Sequence, residues 1–96
     1  MVTVWSKRAK TALIEAYEYI REDSLQNAAK VRDEIIDLTI DLPTHPEKYP
    51  PDKYKKGNDG SYRAFEIYHY RISYRIMADE IRIIRMRHTR RTPLSY

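Results

Sequence analysis

The hydrophobic period changes once along this chain, and that change decides what it can fold into. From Ala9 to Leu42 apolar residues recur every three or four positions, whereas from Tyr62 to His88 they largely alternate. The first repeat buries one face of a helix and the second one face of a strand, so the chain reads as a helical half followed by a sheet half. Between them, Thr44 to Ser61 ("THPEKYPPDKYKKGNDGS") obeys neither period. With Pro43 directly before it, this stretch gathers Pro46, Pro50, Pro51, Gly57 and Gly60. It reads as a long loop, with "NDG" as its turn signal.

Finer punctuation divides the halves. "VTVW" (residues 2–5) is β-branched and aromatic and reads as a short first strand. Ser6 stands where an N-cap belongs, and Ala9, Leu13, Ala16, Tyr17 and Ile20 then form one helical stripe. Asp23 and Ser24 make the next cap. A second helix follows from Leu25, with Ala28, Val31, Ile35, Leu38 and Leu42 buried, until Pro43 ends it. So short a link makes an antiparallel helical hairpin. "YRAFEIYHY", "RISYRIM" and, after the turn "ADE", "IRIIRMRH" read as a three-stranded meander. The expected fold is one α+β domain over residues 1–96, ordered β-α-α-β-β-β. Its antiparallel sheet, the short first strand included, packs on the helical hairpin by one face. The other face is expected to lie open and to carry the arginines.

Composition narrows the function. The chain has no cysteine, which removes disulfides and thiolate metal sites. No apolar run approaches the roughly 18–20 residues of a membrane span. "MVTVWSKRAK" lacks the apolar core of a signal peptide, so no membrane role and a cytoplasmic location are expected. The net charge of +4 conceals a division: residues 1–48 carry seven Lys/Arg against nine Asp/Glu, while residues 49–96 carry eleven against five. Seven of the nine tyrosines also fall in the second part. Cations interleaved with aromatics fit a nucleic-acid or phosphate partner, and they also suit the docking of an acidic protein.

The order of elements, with "YRISYRI" followed after a turn by "IRIIRMRHTRR", resembles the RelE/ParE superfamily of bacterial toxins from type II toxin–antitoxin systems. The first strand and the helical hairpin fit as well, so the resemblance spans the whole chain. It implies one scaffold and two activities, of which ribosome-dependent cleavage of messenger RNA is the one expected of this chain and gyrase inhibition the alternative. RelE-like members cut messenger RNA on the ribosome without a metal or other cofactor, and ParE-like members inhibit DNA gyrase with no catalytic site of their own. Either way the resemblance implies a cognate antitoxin, expected to be acidic, as partner. The sequence leaves the oligomeric state open.

On the nuclease reading, the 2′-hydroxyl attacks its neighbouring phosphate. The protein must favour loss of the hydroxyl proton, neutralise the phosphoryl oxygens and protonate the leaving oxygen. Arg71 matches the strand arginine of the family motif and would clamp the phosphate through its planar fork. The competing role for Arg71 is a surface ion pair with Glu66 or Asp79. An imidazole titrates around neutrality, so His88 could act as acid or base. Arg90 and Tyr96 match the Arg…Tyr spacing that closes the RelE-like site. A terminal Tyr96 is expected to fray, with Pro93 stiffening the approach. Lys53, Lys55 and Lys56 would contact RNA from the loop, and Arg63, Arg75, Arg87 and Arg91 would extend the basic face. Glu47 is a weaker candidate base. His45 and His69 read as loop and sheet-surface residues. On the gyrase reading the same arginines are contacts.

Overall fold

In a computed structural model, which describes residues 1–91 and 94–96, the chain forms β1 (Val2–Trp5), α1 (Lys7–Arg21), α2 (Leu25–Asp41), β2 (Tyr62–Ile67), β3 (Tyr70–Ile76) and β4 (Glu80–His88). Both helices start where a serine can cap them. Ser6 Oγ accepts from Ala9 N and Ser24 Oγ from Asn27 N, each at 3.1 Å, which satisfies an amide that the first turn leaves without a partner.

The four strands form one sheet in the order β1-β4-β3-β2. β2, β3 and β4 are the expected antiparallel meander, but β1 lies parallel to β4, pairing Val2 with Glu80 through Trp5 with Ile83. The expectation of an antiparallel sheet throughout is therefore corrected to a mixed sheet. The reason is the route of the chain. The helical hairpin and long loop carry it from β1 to the far edge, and the meander returns until β4 runs alongside β1 in the same direction.

Alternation along the strands sorts two faces. Phe65, Tyr70, Ile72, Tyr74, Ile81, Ile83 and Met86 are buried with Ala9, Ala16, Ile35 and Leu42. Each fully buried Ile or Leu is worth about 1.5–3 kcal/mol. A register shift opposite Ser73 and Tyr74 places an extra residue, Ile84, in β4. This bulge switches the alternation, so Ile81 and Ile83 face the helices before it and Met86 after it. Arg85 and Arg87, cross-strand from Ser73 and Arg71, thereby fall on the outer face.

That outer face is not open as expected. The loop first packs on the helix side, where Tyr49 stacks on Phe65 (4.5 Å between centroids) and Pro46 O accepts from Tyr74 Oη at 2.7 Å. It then rounds the β2 edge, with Asp52 N donating to Tyr62 O at 2.8 Å and Ala64 N to Pro50 O at 3.3 Å. From Asp52 onward it lies over the outer face. Arg63 fastens this path by donating to Gly60 O (3.0 Å) and Tyr49 O (2.8 Å).

Candidate functional site

Asp52 is the centre of the outer face. It is 2% exposed in a loop otherwise rich in lysine. Its Oδ1 accepts from Arg71 Nη2 at 2.8 Å and from Tyr54 N at 3.1 Å, and its Oδ2 from Tyr96 Oη at 2.7 Å. Arg71 also reaches Glu66 Oε2 through Nη1 at 3.1 Å and stacks over the Tyr54 ring. Burial raises the Asp52 pKa, but hydrogen bonds from Tyr96, Arg71 and Tyr54 outweigh it and leave the carboxyl below its ordinary value. Burial and the bond to Asp52 both push the Tyr96 phenol up. The cluster is thus a carboxylate, a guanidinium and a neutral phenol, mutually satisfied.

Tyr96, expected to fray, is docked. Its N–H donates to Tyr54 O at 3.0 Å, and its main-chain oxygen accepts from Lys56 N at 2.7 Å and Lys55 Nζ at 3.1 Å. Arg85 lies over its ring at 4.4 Å and donates to Leu94 O. The suggested stiffening by Pro93 lies outside the described residues. Lys55 also sits over Tyr62, and so does Arg75 from the opposite strand. Lys53 covers Tyr54. Most of the aromatic and cationic side chains here therefore face each other.

His88 is elsewhere. It pairs across the sheet with Tyr70 on the helix face, meets that ring edge-on at 5.2 Å, and stacks near His69 at 6.3 Å. Its Nδ1 accepts from Arg90 N at 3.1 Å, closing the turn after β4. Arg90 and Arg91 are exposed there and line a cavity of about 420 Å³ with Tyr19, Tyr70 and His88. The structure thus joins Arg71, Tyr96, Lys55 and Arg75 on one face and His88, Arg90 and Arg91 at the end of the other. Arg87 reaches this cavity from the outer face. Glu47 offers its carbonyl to Arg63 at 3.5 Å, and His45 sits in the turn after α2.

The sequence points to Glu66 as a partner of Arg71 but gives no sign of Asp52 or Tyr62. Glu66 sits directly across from Arg71 in the β2–β3 register, which alternation alone could suggest. Asp52 reaches Arg71 only through the fold of the loop. Among the described residues no three His, Asp or Glu side chains come together as metal ligands would, and no helix is long and apolar enough to cross a membrane.

No curated protein matches the chain. A solved chain from the chromosomal ParDE TA system of P. aeruginosa superposes with a TM-score of 0.70 at 19% identity, covering 92% of this chain and 95% of that one. At that identity the likeness speaks for the fold. The family described as ParE toxin of type II toxin-antitoxin system, parDE, matches residues 3–93. With the match running from the first strand past β4, this chain belongs to the ParE toxin family of type II toxin–antitoxin systems.

Proposed function

We propose that this toxin acts by binding a protein target, DNA gyrase, and that it does not cut RNA. The observation that carries the reading is the separation of the candidate nuclease groups. General acid–base cleavage needs the phosphate clamp and the proton carrier within hydrogen-bond reach of one scissile group. Here His88 lies on the helix face, while Arg71 and Tyr96 lie on the outer face and are engaged by Asp52. A clamp neutralised by a buried carboxylate has little charge left for a phosphoryl oxygen. The competing reading, a ribosome-dependent messenger RNA endoribonuclease using Arg71, His88, Arg90 and Tyr96, would require those contacts to break and the two faces to meet.

A cognate antitoxin is the second partner in this reading. The basic balance of residues 49–96 favours an acidic one.

The test pairs two assays on one preparation. Purified toxin is added to a gyrase supercoiling reaction and to a cell-free translation reaction, with primer extension mapping breaks in the reporter messenger RNA. Loss of supercoiling with intact messenger is the expected result. Ribosome-dependent breaks inside translated codons, with supercoiling unaffected, would overturn the proposal.

A further inference from the structure

The cavity of about 420 Å³ between α1 and the end of β4 falls within the roughly 300–1,000 Å³ that small-molecule sites occupy. The helix sequence makes the space. Ala12 and Ala16, one turn apart, line it with side chains too short to fill it. Glu15 and Tyr19, also one turn apart, stand on the same helix wall, and Arg90 and Arg91 border it from the turn after β4.

Tyr70 lines the cavity from β3, and its phenol is unsatisfied. The residue is only 8% exposed, yet its Oη has no hydrogen-bond partner among the described residues. A buried phenol ordinarily finds one. The hydroxyl is not sealed either, because Arg75 Nε is the sealed and unpartnered side-chain atom among the described residues. The small exposure that Tyr70 keeps therefore opens into the cavity it lines. Burial, and then the neighbouring Tyr19 phenol, push the Tyr70 phenol up, so it stays protonated and able to donate. The other polar groups are equally uncommitted. Arg71, Arg75 and Arg85 on the outer face lie against a carboxylate or a ring, whereas Arg90 and Arg91 are exposed and form no ion pair among the described residues. Glu15, the carboxylate of the lining, forms none there either, and Tyr19 is 67% exposed.

We propose that this cavity is a nucleotide site, in which an amino-bearing purine lies against Tyr19 and Tyr70 and its phosphate meets Arg90 and Arg91. Any base stacks on an aromatic face, so the choice among bases falls to the polar groups. Tyr70 Oη can donate to a ring nitrogen or carbonyl oxygen, and the Glu15 carboxylate accepts from an exocyclic amino group. Planar guanidinium forks bind phosphate oxygens in pairs. An acidic peptide would engage the arginines, but it would leave the aromatic wall unused and meet the like charge of Glu15. The nucleotide can arrive free or as one residue of a single strand, and its chemistry at the site is the same. Binding here goes beyond the gyrase reading and does not depend on it.

The test is isothermal titration of the purified toxin with guanosine 5′-monophosphate. It should bind at least about tenfold more tightly than guanosine, which lacks the phosphate, and than inorganic phosphate, which lacks the base. Inosine 5′-monophosphate, lacking only the 2-amino group, should bind about fivefold more weakly, and Glu15→Ala should abolish that difference. Tyr70→Phe removes Oη and keeps the ring. It should weaken the nucleotide about fivefold and leave Tm unchanged, because the hydroxyl bonds nothing in the free protein. Tyr19→Ala should weaken it about tenfold. The double variant Arg90→Gln, Arg91→Gln should lose about tenfold or more toward the nucleotide and nothing toward guanosine. Ile14→Ser, exposed on α1 and outside the lining, should bind as the parent does. Equal affinity for the nucleotide and for inorganic phosphate would reduce the effect to attraction by a basic surface and overturn the proposal. Parental affinity in Tyr70→Phe would overturn it as well. A guanine-containing trinucleotide that binds more tightly than the mononucleotide assigns the site to a strand, equal affinity assigns it to the free nucleotide, and both results uphold the site.

Discussion

Burial pushes the Asp52 carboxyl up, yet hydrogen bonds from Tyr96, Arg71, the Tyr54 amide and Ser73 hold it below its ordinary value. A folded-state pKa below the ordinary carboxyl value of 3.8 fixes the sign of its linkage. The contribution is complete above that value and is lost as pH falls through the lower folded one. Urea midpoints should therefore hold steady between about pH 5 and 7 and fall below about pH 4, with a shallower fall in Asp52→Asn. Parallel acid profiles for the two proteins would assign the loss to other carboxylates. At neutral pH Asp52→Ala should cost about 3 kcal/mol, because it leaves a largely buried guanidinium with the exposed Glu66 as its remaining carboxylate partner. Tyr96→Phe should cost about 2 kcal/mol, the worth of a hydrogen bond to a charged acceptor. The double variant should lose less than the sum, since the two side chains share one bond. None of this was legible at Asp52, which sits in "PPDKYKK" without a period and reads as a solvated acid among lysines. Docking of Tyr96 was equally hidden, because its partners come from the loop and not from its sequence neighbours.

At the scale of the element, the caps and the helical stripes were plain in the sequence, and Ser6, Ser24 and the buried Ala9, Ala28 and Ile35 stand where periodicity puts them. The β2–β3 turn was not plain. "YRAFEIYHYRISYRIM" alternates without a glycine or proline, so periodicity alone carries the first strand of the meander through to Tyr70. The chain turns at Tyr68 and His69 instead, both with positive φ (52° and 67°), the geometry of a two-residue hairpin turn that favours Asn-Gly. Tertiary contacts hold the turn: Tyr68 Oη donates to Glu34 Oε2 of α2 at 2.5 Å, and His69 O accepts from Thr89 N at 2.7 Å. Left-handed backbone costs a side-chain-bearing residue about 1 kcal/mol relative to glycine. His69→Gly should accordingly raise stability by about that much, seen as a rise of roughly 4–8 °C in Tm. A fall in Tm would mean that the His69–His88 stacking outweighs the relieved strain.

For the whole molecule, the sequence disclosed a basic sheet half but not how its charge is spent. Alternation assigns a side chain to a face. It says nothing about a loop that folds over that face with a buried carboxylate, or about a bulge that moves Met86 and His88 to the helix side. Those two events divide the second-half cations into an internally matched outer cluster and an exposed group at the end of β4. They also make substitutions there informative about mechanism, provided that folding and chemistry are read separately. His88→Asn retains an acceptor near the Nδ1 position, which keeps the bond from Arg90 N, and removes the titratable imidazole. If the toxin works by binding gyrase, this variant should inhibit supercoiling and arrest growth within about twofold of the parent. A proton-transfer role would instead lower activity about 10²–10⁴-fold. Arg71→Ala should reduce toxicity together with Tm, because it leaves the buried Asp52 carboxylate with neutral donors and no cationic partner. Arg71→Ala with an unchanged Tm and abolished toxicity would place the guanidinium in direct service of the target, and the outer face would then have to be read as a working surface.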